Sequence, residues 1–181
     1  MTRALVLIDI QNDYFPGGAM DLVGMKEAAA RAARLLEAFR SAGNPLFHIQ
    51  HISTRPGATF FLPDTEGAEI NPSVTPDVGE PVIQKHFPNS FRDTGLLDAL
   101  RAADADELVL CGAMSHMCVD STTRAAFDLG FRCSVAADAC ATRDLQHQGA
   151  SVPAAQVHAA FMAALAVPFA TVSTAEDLLG G

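Results

Sequence analysis

The sequence has 181 residues and a formal net charge of −9, with 21 acidic and 12 basic side chains. This acidic balance argues against a nucleic-acid partner, because binding to phosphate backbones depends on clustered Lys and Arg. Four cysteines without CxxC spacing argue against a zinc site and a disulfide framework. The chain has no apolar stretch long enough for a membrane span and no signal-peptide cleavage pattern. We therefore expect one cytoplasmic domain over residues 1–181, without a metal, a cofactor or a membrane partner.

Apolar runs and helical periodicities alternate along the chain. The predicted strands cover residues 3–10, 45–50, 81–84, 108–111, 131–136 and 169–172, and a turn is predicted at residues 138–139. The predicted helices cover residues 26–42 and 95–103, a segment from Cys118 onward, residues 152–166, and a short stretch opened by a Ser173/Glu176 capping box. This alternation predicts a single-domain, three-layer α/β fold with a mostly parallel central sheet and helices on both faces.

One long segment, residues 52–80, carries no predicted helix or strand. It is rich in Pro, Gly, Asp and Thr and contains the apolar cluster Phe60-Phe61-Leu62. Loops of this length in compact domains are usually functional. The segment is therefore a candidate for a lid over a pocket or for an arm that reaches a neighbouring subunit, and its composition does not distinguish the two.

The stretch from Glu107 to Asp128 has the pattern of a strand, a tight loop and a helix. Its apolar run ends at Gly112, and helical spacing begins at Cys118. The N-terminus of a helix favours a thiolate over a thiol, so Cys118 is a candidate nucleophile. Free cysteines are otherwise usually buried apolar residues, and we interpret three of them as structural: Cys111, Cys133 and Cys140.

Three chemically active side chains follow the ends of predicted strands. Asp9 ends the first strand, Lys85 follows the third, and Cys118 lies just beyond the fourth. Because ligands of open α/β sheets bind at the carboxyl ends of the strands, we expect these side chains to share one crevice. In the functional interpretation Asp9 takes the proton of Cys118, and Lys85 favours the resulting thiolate. In the structural interpretation Asp9 and Lys85 form only a buried salt bridge.

A thiolate in this crevice would attack a carbonyl carbon. The oxyanion then needs preorganised donors, which the backbone N–H groups of Met114 and Cys118 supply if the loop between them curls into a nest. Asp9 would return its proton to the leaving amine and later activate the water that cleaves the thioester. The residues thus predict amide hydrolysis through an acyl-enzyme.

Four short motifs follow one another over nearly the whole chain. They are LIDIQND at residues 7–13, KHFPNSF at 85–91, GAMSHMCVDSTTR at 112–124 and DAC at 138–140. In combination they resemble the isochorismatase-like cysteine hydrolase superfamily. The resemblance implies a hydrolase domain in which Asp9, Lys85 and Cys118 form a catalytic triad. It also implies a cis peptide between Ala113 and Met114, a small-molecule substrate, and a homo-oligomer that is a dimer or larger.

The resemblance also narrows the chemistry. Isochorismatases that cleave a vinyl ether lack the cysteine, so Cys118 favours hydrolysis of a C–N bond in an amide or carbamoyl compound. Nicotinamidases carry a metal-binding Asp-x-His after the second strand, where this chain has His51 and Ser53. A nicotinamidase-like or ureidoacrylate-type amidohydrolase is the alternative. A non-catalytic oligomeric interaction protein is the alternative from another class, and the joint presence of the three triad residues argues against it.

Further histidines and aromatic residues are candidates for other parts of the site. His48 and His51 would need a third ligand to bind a metal, and packing or hydrogen bonding is the favoured interpretation. His86 and His116 are candidate pocket walls, and each is also a candidate base for Cys118. The remaining pocket candidates are aromatic: Tyr14, Phe15, Phe60, Phe61, Phe87 and Phe91.

Overall fold

The computed structural model describes residues 2–180. Its strands are Thr2–Ile8 (β1), Leu46–His51 (β2), Val82–Lys85 (β3), Ala105–Ala113 (β4), Arg132–Ala141 (β5), Leu145–His147 (β6), Ala150–Val152 (β7) and Thr171–Ser173 (β8). Its helices are Met25–Ser41 (α1), Leu96–Ala102 (α2), Asp120–Asp128 (α3), Ala154–Leu165 (α4) and Ala175–Leu178 (α5). None of the helices in this described range is long and apolar enough to cross a membrane.

Six strands form one parallel sheet in the order β3-β2-β1-β4-β5-β8. Helices α1 and α5 pack against one face, and α2, α3 and α4 pack against the other. Alternate residues of β1 fill the two cores, with Leu5 and Leu7 on the α1 side and Val6 and Ile8 on the opposite side. Burial on both faces explains why β1 is an unbroken apolar run. The predicted three-layer α/β class is confirmed.

The strand order reverses between β1 and β4. From β1 the chain adds β2 and β3 on one side, and it then returns to place β4 on the other side of β1. Such a switch point opens a crevice at the carboxyl ends of the strands. Gly112 lets β4 run close to β1 up to this crevice. Its φ is +119°, and a Cβ at this position would collide with the carbonyl oxygen of Ile8.

The predicted turn at residues 138–139 is wrong, because β5 continues through both residues. The pairing of β5 with β4 shifts register between Leu110 and Gly112, so several residues of β5 bulge from the ladder. Asp138 lies in this irregular stretch, and its Oδ1 accepts a hydrogen bond of 2.7 Å from the backbone N–H of Ala175. The turn-like sequence therefore caps α5 instead of ending β5.

The β6–β7 hairpin replaces the beginning of the helix predicted from residue 152. Gln148 and Gly149 connect its strands with φ values of 48° and 82°, as in a two-residue turn of type I′. Helix α4 begins only at Ala154, whose N–H donates to Asp144 Oδ1 at 2.7 Å. An aspartate ten residues upstream thus caps this helix, which local spacing does not reveal.

The cap of the C-terminal helix lies one residue later than predicted. Thr174 Oγ1 accepts a hydrogen bond of 3.1 Å from the N–H of Asp177, whereas Ser173 still belongs to β8. The predicted Ser173 capping box is therefore wrong by one position. The helix itself forms where it was expected.

Candidate active site

Asp9, Lys85 and Cys118 meet at the carboxyl ends of the central strands. Asp9 follows β1 directly, Lys85 is the last residue of β3, and Cys118 lies in a π-helical turn after β4. All three side chains are buried. Lys85 Nζ lies 2.8 Å from Asp9 Oδ2 and 3.3 Å from Cys118 Sγ. One ammonium group thus joins two residues that are far apart in the sequence.

The segment after β1 turns out of the sheet at Asp9 and is then held in place by Gln11. Asp9 adopts a φ of 52°, a left-handed conformation that aspartate tolerates better than most residues. The Gln11 side chain donates to the carbonyl oxygens of His51 and Ala68 at 2.9 and 2.7 Å. It also accepts from the N–H of His51 at 2.7 Å. Gln11 in the first motif is therefore structural, and it fixes the end of β2 beside Asp9.

The turn that carries Cys118 is π-helical and precedes α3. The N–H of Val119 donates to the carbonyl oxygen of Met114 at 3.2 Å, five residues back, and α3 begins only at Asp120. Cys118 therefore lies before the helix rather than in its first turn. The peptide between Ala113 and Met114 is cis, as the resemblance implies.

Two hydrogen bonds hold this turn from the side that faces α4. Ser115 Oγ lies 2.8 Å from His158 Nδ1, and His116 Nδ1 lies 2.6 Å from Thr142 Oγ1. The ring of His116 also packs edge-on against Phe161 of α4. The alternative in which His116 acts as the base of Cys118 is therefore not supported. His158 had no signal in the sequence, because its partner is 43 residues away.

Burial dominates the electrostatics of Cys118. Burial and the neighbouring Asp9 charge raise the pKa of its thiol well above the usual value, against the opposing effect of Lys85. The lowered pKa that we expected from a helix N-terminus is therefore not found. Lys85 behaves differently. Burial acts against its charged form, but the charge of Asp9 and the hydrogen bonds of the ammonium group to Asp9 and Cys118 outweigh this effect and raise the pKa of Lys85, which stays an ammonium ion.

Lys85 has two further neighbours, the Phe87 carbonyl oxygen at 3.1 Å and His51 Nδ1 at 3.0 Å. An ammonium group only donates, so His51 Nδ1 accepts and the imidazole is neutral. Burial, followed by the charge of Lys85, lowers the pKa of His51 to about 4. Asp9 Oδ1, in contrast, has no hydrogen-bond partner within residues 2–180. Asp9 Oδ1 is therefore a buried carboxylate oxygen whose acceptor capacity is not in use among these residues.

Asp9, His51 and Cys118 offer potential metal ligands within 4.8 Å of one another. However, the Lys85 ammonium contacts all three residues, and its charge opposes a cation among them. His48 does not join the group. It lies three residues from His51 along β2, on the other face of the sheet. The hypothesis of a metal site built on His48 and His51 is therefore wrong for this arrangement.

A cavity of about 150 Å³ opens at Cys118. Of the eight pocket residues predicted from the sequence, three line it: Tyr14, Phe60 and His86. Met114, the predicted oxyanion donor, also lies in its wall. The prediction missed His51, Ser53 and Arg55 as lining residues.

The other five predicted pocket residues do not line this cavity: Phe15, Phe61, Phe87, Phe91 and His116. Phe61 is fully buried, and its ring packs against Tyr14 with centroids 4.5 Å apart. Phe91 stacks on Phe131 in the opposite core. The ring of Phe87 is covered by the Arg92 guanidinium. These aromatic residues serve packing, which composition alone does not separate from a pocket.

The segment of residues 52–80 forms one wall of this cavity within its own chain. The N–H of Ser53 donates to the carbonyl oxygen of Phe61 at 2.8 Å, which closes a loop over residues 53–61. The N–H of Phe61 in turn donates to Asp13 Oδ2 at 2.6 Å. Asp13, the last residue of the first motif, thus anchors the long segment beside the cavity at Cys118.

Comparison with known proteins agrees with this geometry. A family model described as "Isochorismatase domain" matches residues 3–177. This chain belongs to the isochorismatase family. The isochorismatase family protein YddQ of Bacillus subtilis strain 168 is 54% identical over 99% of both chains. A crystal structure of an isochorismatase-family protein from Oleispira antarctica superposes with a TM-score of 0.96 at 53% identity, covering 99% of this chain and 97% of the other.

Two further relatives in the isochorismatase family have names that state an activity. A streptothricin hydrolase of Streptomyces noursei is 38% identical over 79% of this chain and 51% of its own length. A nicotinamidase of Escherichia coli strain K12 is 30% identical over 81% of this chain and 86% of its own length. The family thus includes hydrolases, and the prediction of an isochorismatase-like fold and family is confirmed.

Proposed function

We propose that this protein is a cysteine hydrolase that cleaves the C–N bond of a small amide or carbamoyl compound through a thioester intermediate. The observation that carries the proposal is the position of Lys85 Nζ, 2.8 Å from Asp9 Oδ2 and 3.3 Å from Cys118 Sγ at a cavity. A nucleophile and a base that both contact one cation are the groups that acyl transfer to a cysteine requires. Membership of a hydrolase family supports the same reaction class.

In the first half-reaction Cys118 loses its proton as it attacks, because its raised pKa keeps it a thiol beforehand. Asp9 takes this proton through Oδ1, the oxygen without a partner within residues 2–180. The sulfur forms a bond to the carbonyl carbon, and the π electron pair moves onto the carbonyl oxygen. Lys85 remains charged throughout and offsets the negative charge that passes between sulfur and carboxylate.

The backbone N–H groups of Met114 and Cys118 stabilise the oxyanion in this proposal. Asp9 then passes its proton to the leaving nitrogen, the C–N bond breaks, and the amine or ammonia departs. A water molecule attacks the thioester while Asp9 takes one of its protons. The C–S bond breaks, the acid is released, and Asp9 returns the proton to the sulfur, which restores both groups.

A nicotinamidase-like activity is the second candidate, because a nicotinamidase is among the relatives. A ureidoacrylate-type activity would use the same chemistry on a carbamoyl compound. Because the Lys85 ammonium stands among the potential metal ligands, we propose that turnover is metal-independent. Homo-oligomerisation and a cytoplasmic location stay predictions, and light scattering of the purified protein tests the first.

The decisive experiment measures ammonia release by the wild type, Cys118→Ala and Cys133→Ala. The substrates are nicotinamide, N-carbamoyl amino acids and ω-carbamoyl acids, each with and without a chelator. We expect Cys118→Ala to lower kcat/KM by at least about 10⁴-fold, as loss of a nucleophile does in other hydrolases. Cys133→Ala, which removes a buried thiol away from the cavity, should retain turnover, and the chelator should have no effect.

Turnover that survives in Cys118→Ala would contradict the cysteine mechanism. Turnover that the chelator abolishes would contradict metal independence but not the nucleophile. If the wild type releases no ammonia and mass spectrometry finds no acyl adduct on Cys118 with any of the substrates, the proposal fails and the non-catalytic alternative is favoured.

A further inference from the structure

The wall of the cavity at Cys118 is basic, although the chain as a whole has a net charge of −9. Arg55 and two histidines, His51 and His86, belong to this wall, and the described residues that line it include no Asp or Glu. A cation beside low-dielectric walls concentrates anions from solution. The Arg55 guanidinium therefore gives this cavity wall a positive charge, although the chain as a whole is acidic.

Arg55 makes no ion pair with any of residues 2–180, whereas several other arginines are paired with carboxylates. Its positive charge nevertheless acts on His51, which lies next to Lys85. Burial and Lys85 are the main causes of the low pKa of His51, and the charge of Arg55 adds to them. The guanidinium is thus close to the reacting groups and available to a ligand.

The backbone at Arg55 is held by a tight turn. The N–H of Ala58 donates to the carbonyl oxygen of Arg55 at 3.3 Å, with Pro56 and Gly57 between them. The φ of Gly57 is +76°, which matches the second central position of a type II turn, where proline is favoured one residue earlier. The hydrogen bond between Ser53 and Phe61 closes the loop at its base. The loop therefore presents Arg55 to the cavity from a defined position.

We propose that Arg55 binds a carboxylate of the substrate, so that the substrate is a small acid that also carries an amide or carbamoyl group. This inference rests on the proposed function and narrows its substrate class. Arg55 and Cys118 line the same cavity of about 150 Å³. The anionic group and the bond to be cleaved therefore belong to one small molecule. The planar guanidinium suits a carboxylate because it donates two parallel N–H groups.

The test compares acids with neutral partners of nearly the same shape. Malonamate, succinamate and glutaramate are each paired with the corresponding diamide, and ammonia release is measured with the wild type, Arg55→Gln and Arg34→Gln. Arg34 is an exposed arginine of α1, so Arg34→Gln changes the net charge equally but not the cavity. We expect the wild type and Arg34→Gln to prefer at least one acid by about 10- to 100-fold in kcat/KM. Arg55→Gln should lower kcat/KM for the acid much more than for the diamide, so that the preference for the acid is lost.

Binding to Cys118→Ala, measured by calorimetry, makes the test independent of turnover. The acid should bind to Cys118→Ala more tightly than the diamide, and added Arg55→Gln should remove the difference. If acids and diamides are hydrolysed equally in a reaction that requires Cys118, the carboxylate site is overturned and the hydrolase stands. If an acid binds through Arg55 but no compound is hydrolysed, the carboxylate site stands and the hydrolase fails. If no compound binds or reacts, both proposals are overturned.

Discussion

The two histidines of β2 lie in two charge clusters on opposite faces of the sheet. The triad cluster consists of Asp9, His51, Lys85 and Cys118. The Glu80 cluster consists of Arg40, His48 and Glu80. Both clusters contain a carboxylate, a cation and a neutral imidazole, and both are largely shielded from solvent.

The clusters differ in how completely their carboxylates are hydrogen-bonded. Both oxygens of Glu80 accept from Arg40, at 2.6 and 2.7 Å, and Oε2 also contacts His48 at 2.9 Å. Asp9 uses only Oδ2, and Oδ1 has no partner within residues 2–180. A carboxylate with all its acceptors in use stabilises a fold, whereas one with a free buried oxygen is able to receive a proton. Hydrogen-bond satisfaction, more than burial or charge, therefore distinguishes the triad cluster, for which we propose a reaction, from the Glu80 cluster.

The strongest way to break the triad cluster is Lys85→Met. It leaves the fully buried Asp9 without its cation, and we expect a loss of about 3–5 kcal/mol in the free energy of unfolding, together with loss of amide hydrolysis. Urea unfolding and ammonia release measure the two effects. Lys26→Met is the matched control, because Lys26 is the other lysine of the chain and lies exposed in α1.

A second substitution separates the charge effect from the chemistry. In the double variant Asp9→Asn/Lys85→Met both charges are removed, so most of the lost stability should return while activity stays absent. If the double variant is as unstable as Lys85→Met, the loss comes from packing of the lysine side chain and not from the unpaired Asp9.

That Asp9, Lys85 and Cys118 meet in one crevice was predictable from the sequence, because parallel strands end at a common edge. Each of Asp9, Lys85 and Cys118 follows an apolar run, and the strand alternation with helices implies that these runs are parallel. No contact between side chains had to be known. The lowered pKa of the Cys118 thiol, which was expected from a helix N-terminus, was wrong, because burial depends on side chains from several elements that the motif does not contain.

The wall of the cavity was only partly predictable. Arg55 reaches it because the hydrogen bond between Ser53 and Phe61 folds the long segment back. The sequence gives no sign of this hydrogen bond, because the path of a loop depends on partners that are distant in the sequence. Phe61 and Phe91 were wrongly predicted as pocket walls, because aromatic side chains are equally suited to the core. For His51 the sequence favoured packing or hydrogen bonding over metal binding, and in the structure its Nδ1 accepts a hydrogen bond from Lys85.

His51→Gln sharpens the comparison through pH. The pKa of His51 is lowered from 6.5 to about 4, chiefly by burial. Between these pH values the unfolded chain binds a proton at His51 that the folded chain does not bind. The folded state of the wild type therefore loses stability as the pH falls from about 6.5 to 4, by about 2 kcal/mol. Urea unfolding at pH 7.5 and 4.5 should show this loss in the wild type and in His147→Gln, an exposed control, but not in His51→Gln. Equal losses in all three proteins would contradict the prediction.

Glu80→Gln should produce the smallest effect, in a lower pH window. Hydrogen bonds from Arg40 lower the pKa of Glu80 from 4.5 to about 2, so its contribution to stability is complete above about pH 4.5 and is lost as the pH falls towards 2. Solvent screening reduces the contribution to about 1 kcal/mol. At pH 7 we expect Glu80→Gln to be less stable than the wild type or Glu37→Gln, an exposed control, and the difference should close between pH 5 and 2. Because Glu80 contacts no residue of the triad cluster, kcat should not change. A fall in kcat at unchanged stability would instead mean that the two faces of β2 are coupled, and that a fully hydrogen-bonded carboxylate contributes to the reaction.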